Sequence, residues 1–238
     1  MTTTMQPSGF DILYEEGPCL MVNKPGGVLT QAPPGIDCME VRIKRFLKQR
    51  DEKPGNVYLG TPHRLDRPVS GVMVFAKHVR AARRIAEQFE GRTVEKKYWA
   101  IVAGNVAEDS GTWTDYVRKV PGEARSELVA EDKTEGKVAV LHFRVLDRLP
   151  FGCCLEIELE TGRTHQIRVQ AASRGHAVLG DYLYGSQMPF GPQTHNERER
   201  WIALHARSLK IRHPMTKEAV QQLAPLPEAW QELGFEPE

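Results

Sequence analysis

The sequence predicts an α+β chain built on a largely antiparallel mixed sheet flanked by a few helices. Three observations predict it. Strand-like segments outnumber helical ones, the regular strand–helix alternation of a parallel sheet is missing, and no repeat, low-complexity tract or linker divides the chain. At 238 residues the chain is long enough to bury a sizeable core. Residues 1–9 read as a polar tail and 10–238 as one domain.

The segments Phe10–Tyr14 and Leu20–Lys24 read as strands joined by a turn at Glu16-Gly17-Pro18, with loops at Lys24–Val28 and Ala32–Gly35. Asp37 is expected to cap a helix, with Glu40 as its capping-box partner. Met39, Ile43, Phe46 and Leu47 form the apolar face of that helix, and Arg42, Lys44, Arg45, Lys48 and Arg50 the other. Gly71–Lys77 is a buried-type strand. A helix over roughly 78–90 follows it, with Val79, Ala82, Ala86 and Phe89 inward, Arg80, Arg83 and Arg84 outward, and Gly91 as its stop. Lys96–Val102 is a strand, and residues 112–160 read as mostly short strands ending in the alternating Cys154–Glu160. Thr164 is read as the cap of a helix closing at Gly175. A strand over Ile202–Ile211 and a short helix near 227–233 complete the pattern.

No apolar run is long enough to span a bilayer, and the first residues lack the basic start and apolar stretch of a signal peptide. The cysteines (Cys19, Cys38, Cys153 and Cys154) show no CxxC spacing and no disulfide framework, which implies a reducing, cytoplasmic setting. The histidines carry no metal-ligand spacing, and neither a phosphate-cradling glycine loop nor a dinucleotide fingerprint is present. The net charge of +1 conceals an asymmetry: both ends are acidic, and residues 42–217 hold 31 bases against 21 acids. A basic middle suits an anionic partner, although charge alone favours an ordinary solvated surface.

The most informative segment is His63-Arg-Leu-Asp-Arg-Pro-Val-Ser-Gly71, which sets Asp66 between two arginines in a turn-rich loop at a strand entrance. Nearby cations favour an ionised carboxylate, and a loop mounted on a strand can present it to a substrate. The bland alternative is a surface ion-pair cluster. The string closely resembles the signature of the RluA-type pseudouridine synthases, with Val69 where the family usually has threonine. Gly162-Arg-Thr-His-Gln-Ile-Arg-Val169 resembles a second family motif, and Glu95–Ala100 a third.

The resemblance implies a stand-alone catalytic domain with a central active-site cleft, which isomerises uridine in rRNA or tRNA without a cofactor and acts as a monomer. It assigns Asp66 as the catalytic aspartate and Arg168 as the arginine that pairs with it. Tyr98 becomes the tyrosine against the target base, and Leu204 an apolar wall of the pocket. Arg64 matches a residue that helps displace the target nucleotide, which must leave its stack to react. Lys24 and Pro25, in Met21–Gly26, match a turn bordering the site and are expected to support the catalytic loop. With only about ten residues ahead of the first strand, RNA is expected to be held by the catalytic domain itself. The candidate surfaces are the basic face at 42–50, Arg80, Arg83 and Arg84, and Lys96-Lys97. Two other classes remain open on the residues: a glycosidase or base-excising enzyme, which normally needs a second carboxylate, and a catalytically inactive RNA-binding or RNA-folding protein on the same fold.

Overall fold

The computed structural model describes residues 6–133 and 135–235. The chain is α+β with a largely antiparallel sheet, and its contacts divide it into two compact units. One comprises residues 6–95 and 206–227, the other 96–205 and 228–235.

The first unit opens with β1 (Asp11–Glu16) and β2 (Cys19–Lys24), joined by the expected turn and antiparallel. β3 (Ser70–Ala76) pairs antiparallel with β2 and is buried at every position, as its unbroken apolar run predicts. The sequence reading missed β10 (Ala219–Leu223), which pairs antiparallel with β9 (Leu204–Arg212).

Two helices complete this unit. α1 (Met39–Arg50) buries the predicted Met39, Ile43, Phe46 and Leu47. Its cap is not the predicted one: Cys38 holds the position without a side-chain bond. Asp37 instead takes the Nε and Nη2 of Arg42 at 2.8 and 2.6 Å, and Glu40 takes Lys44 and Gln31. The first helical N–H groups are satisfied by backbone, Met39 donating to Leu29 O and Glu40 to Thr30 O, so no side-chain cap is needed. α2 (Val79–Glu90) is capped by the imidazole of His78, which accepts from Ala81 N. Its buried residues are Ala81 and Ile85, whereas Val79, predicted inward, is 65% exposed. Val79 is the first residue of the helix, and the stripe that meets the core runs through Ala81 and Ile85 on another face.

In the second unit β4 (Glu95–Ala103) pairs with β8 (Gly152–Leu159), β8 with β7 (Lys137–Leu149), β7 with β5 (Ser110–Lys119) and β5 with β6 (Ser126–Val129), all antiparallel. The strands are longer than expected: β7 runs 13 residues, with Ala139, Leu141 and Phe143 buried and the more exposed Val140 and His142 between them. A register shift between Val145 and Asp147 lets it continue past the point where the alternation fails. α3 (Gln166–Ser173) begins later than predicted, with His165 rather than Thr164 at its N-cap and no side-chain capping bond. α4 (Glu228–Gln231) is the predicted final helix, shortened. All four cysteines are free and buried, and among the described residues no helix is long and apolar enough to cross a membrane.

Gly71 has a φ of +118°, and a Cβ there would stand 2.3 Å from Ala206 O. Both the conformation and the close approach require glycine. Gly71→Ala is therefore expected to lower the unfolding free energy by about 3 kcal/mol in urea titration. Gly55→Ala, where nothing lies within 4 Å of the added methyl, should leave the midpoint unchanged.

Candidate active site

Asp66 lies on the loop between Thr61 and Val69; Gly60, just before it, exchanges two hydrogen bonds with Ala76 at the far end of β3. Five further hydrogen bonds tie the loop along its length. His63 stacks on Phe89 at 4.5 Å, and its Nε2 accepts from the N–H of Val74 in β3 at 3.0 Å. Accepting there requires an unprotonated Nε2, so the imidazole fills a place in the β-ladder. The buried Thr30 hydroxyl donates to Leu65 O at 2.9 Å and receives the Leu65 N–H at 3.2 Å. Asp66 itself is half-buried, and its carbonyl accepts the Val69 N–H at 3.1 Å, closing a turn over Arg67-Pro68. Arg64 is exposed.

The remaining bond comes from Lys24, the last residue of β2, which is completely buried. Its Nζ donates to Pro25 O at 2.8 Å and to Arg67 O at 3.2 Å, so one ammonium bridges its own turn and the residue after Asp66. Burial pulls its pKa down to about 7, opposed by the carboxylate of Asp66 and assisted by the charges of Arg42 and Arg67. Lys24 and Asp66 thus share one electrostatic neighbourhood.

The second unit holds the other predicted residues. Tyr98 lies half-buried in β4 opposite Ile157, and Leu204 is buried at the start of β9. Arg168 is 4% exposed on α3, and its Nε and Nη2 bond Asp181 Oδ2 and Oδ1 at 2.6 and 2.8 Å. Tyr184 lies under the guanidinium, its ring centroid 5.0 Å from Cζ. Asp181 precedes a 3-10 turn and Tyr184 ends it; neither was singled out from the sequence, where only the bracketing Gly180 and Gly185 mark the segment as a tight turn.

The predicted basic surfaces divide by what already neutralises them. On α1, Arg42 is committed to Asp37, Lys44 to Glu40, and Arg50 to Glu15 and Asp51. Arg45 and Lys48 form no such pair among the described residues, and with Gly55, Asn56 and Val57 they line a groove of about 430 Å³. On α2, Arg83 pairs with Glu87, and Arg84 donates to Pro214 O. Lys97 is held by Glu156 and Glu158.

A family model described as RNA pseudouridylate synthase matches residues 18–173. An uncharacterized RNA pseudouridine synthase of Synechocystis sp. is 35% identical over 226 residues, covering 94% of this chain and 67% of that protein. Ribosomal large subunit pseudouridine synthase D of Xanthomonas campestris is 35% identical over 230 residues, covering 94% and 68%. The solved structure of human RNA pseudouridylate synthase domain containing 4 has the same fold, with a TM-score of 0.76 at 24% identity over 94% of this chain and 93% of that one.

The lowered pKa of Lys24 carries a signed consequence. Between about 7 and the ordinary lysine value of 10.5 the unfolded chain binds a proton here that the folded chain does not, so stability rises with pH across that window. The slope from this one group approaches about 1.4 kcal/mol per pH unit. Lys24→Met removes it. Unfolding curves taken from pH 7 to about 10 should show the wild type gaining stability relative to the variant, and parallel pH profiles would refute the assignment.

Proposed function

The chain belongs to the RNA pseudouridylate synthase family, isomerases that convert uridine in RNA to pseudouridine, and from that membership we propose that Asp66 is its catalytic aspartate and ribosomal RNA its substrate. The observation that carries the reading is that one family match, residues 18–173, spans Asp66, Tyr98 and Arg168 together. The reaction breaks the N1–C1′ glycosidic bond, retains the uracil, turns it and joins C5 to C1′. Nothing is oxidised or reduced, so no cofactor is required. A carboxylate serves this chemistry by attacking C1′ or a ring carbon, or by removing a proton on the way to a glycal intermediate.

In this reading Tyr98 offers a ring to stack on the uracil and a hydroxyl to assist removal of the C5 proton. Arg168 orients the Asp66 carboxylate, Leu204 walls the pocket, and Arg64 helps displace the nucleotide. Lys24 and Pro25 hold the loop. Support for ribosomal RNA comes from the Xanthomonas relative, whose name states the large ribosomal subunit. A cytoplasmic monomer completes the reading, and the four buried free thiols suit that reducing setting.

RNA is held in part by Arg45 and Lys48. The support for this is that these two line an open groove, and that the other cations of α1, Lys44 of the same groove among them, are spent on carboxylates. Phosphate contacts of this kind release counterions and weaken as salt rises.

Incubating the purified chain with cellular RNA from a strain lacking it, and mapping pseudouridine, is expected to show new modification in large-subunit ribosomal RNA. Modification confined to transfer RNA would reject the substrate, and none at all the activity. Asp66→Asn should abolish product while leaving the melting temperature and RNA affinity nearly unchanged; a near-wild-type rate would remove Asp66 from the chemistry.

Reversing two charges gives an independent check. With Arg45→Glu and Lys48→Glu combined, RNA affinity should fall and the slope of log K against log salt should flatten by about 1 to 2. The rate at saturating RNA should stay the same. Unaltered affinity and slope would move the RNA contact to another surface.

A further inference from the structure

Arg168 and Asp181 form a buried ion pair, the side chains 5% and 1% exposed. Such a pair is a poor way to gain stability, because removing two charges from water costs about as much as their attraction returns. What it supplies is position. The carboxylate grips the guanidinium by one edge, through Nε and Nη2, and a bidentate grip fixes the plane as well as the place of the group. Tyr184 then closes one face of that plane.

The tyrosine is itself fixed. Its hydroxyl accepts the Ser126 N–H at 2.8 Å, donates to Ser126 O at 3.2 Å and lies 2.9 Å from His165 Nδ1. A hydroxyl has one proton, so while it donates to Ser126 O the third bond is donated by His165 Nδ1–H. His165 stands immediately before α3 with a φ of +55°, a left-handed conformation that a non-glycine residue holds only when its surroundings impose it. Asp181 and Tyr184 are held in turn by the 3-10 turn that links them. Gly180 enters it at φ +79°, where a Cβ would stand 2.5 Å from Trp201 O, and Gly185 leaves it at φ +86°.

We infer that Asp181 and Tyr184 are positioning residues whose function is to fix the plane of the Arg168 guanidinium for pseudouridine formation. This rests on the reading of Arg168 as an active-site residue. Asp181 acts through the edge of the guanidinium and Tyr184 through its face, and neither needs to touch the RNA. The aspartate matters as an anion with two acceptor oxygens, and asparagine keeps its shape but loses the charge and one acceptor.

The test uses the full chain and an RNA that the wild type modifies, measuring rate at saturating RNA, RNA affinity and melting temperature. Asp181→Asn should lower the rate at least tenfold with RNA affinity within twofold. Arg168→Lys, which keeps the charge but loses the bidentate edge, should be impaired as well. The double variant should be no worse than Arg168→Lys alone, because the aspartate acts only through the arginine. If Asp181→Asn fails to fold, Tyr184→Leu carries the test: it should slow the reaction several-fold at unchanged affinity, and Tyr184→Phe, which keeps the ring, should lose less. Arg168→Lys impaired with Asp181→Asn at the wild-type rate, or with additive losses in the double variant, would overturn the inference alone. Arg168→Lys at the wild-type rate would overturn the role of Arg168 and this inference with it.

Discussion

The loop from Thr61 to Val69 leaves the sheet at Gly60 and returns at Ser70, and much of its backbone is shielded from water. Shielded N–H and C=O groups must find partners or cost the full desolvation of each. Side chains supply them where strands cannot: Thr30 both gives to and takes from Leu65, His63 takes Val74, and Lys24 gives to Arg67. Each of these contacts joins residues far apart in sequence or bridges the loop to β3, so the conformation around Asp66 exists only once β2, β3 and the segment before α1 are packed. A carboxylate on such a loop is held to one orientation without being buried itself.

Lys24 is the costly member of that set. A completely buried ammonium is tolerated because two carbonyls and the nearby carboxylate of Asp66 offset part of its desolvation. The same burial that weakens its hold on a proton excludes water from the backbone on either side of Asp66. Thr30, fully hydrogen-bonded within the same region, performs the equivalent task with no charge.

Charge in the rest of the chain is mostly settled internally. Glu15 holds both Arg50 and Lys77, and its carboxyl is kept well below the usual range, chiefly by the Arg50 guanidinium. Arg118 is shared between Glu127 and Glu135. A basic excess counted along a sequence therefore overstates the cation available to an anionic partner. What matters is which residues stay outside these pairs, and on α1 that leaves Arg45 and Lys48.

Local pattern was enough for the apolar face of α1, the fully buried β3 and the β1–β2 turn, because period and turn residues act over a few positions. The motif itself was legible for the same reason: His63 to Gly71 is contiguous. Capping was misread at Thr164, where α3 starts one residue later, and at Asp37, where other partners decided it. Arg42 competed for one carboxylate, and the backbone of Leu29 and Thr30 had already satisfied the helix that Asp37 was expected to cap. Asp181 and Tyr184 left no periodic trace, since their meaning lies in being folded onto Arg168 by a 3-10 turn. The sequence by itself determined which residues are chemically capable and the elements that carry them. The tertiary structure decided which cations are already spent, which side chains complete the loop's backbone bonds and what grips Arg168, because those depend on groups distant in the chain meeting at hydrogen-bonding distance.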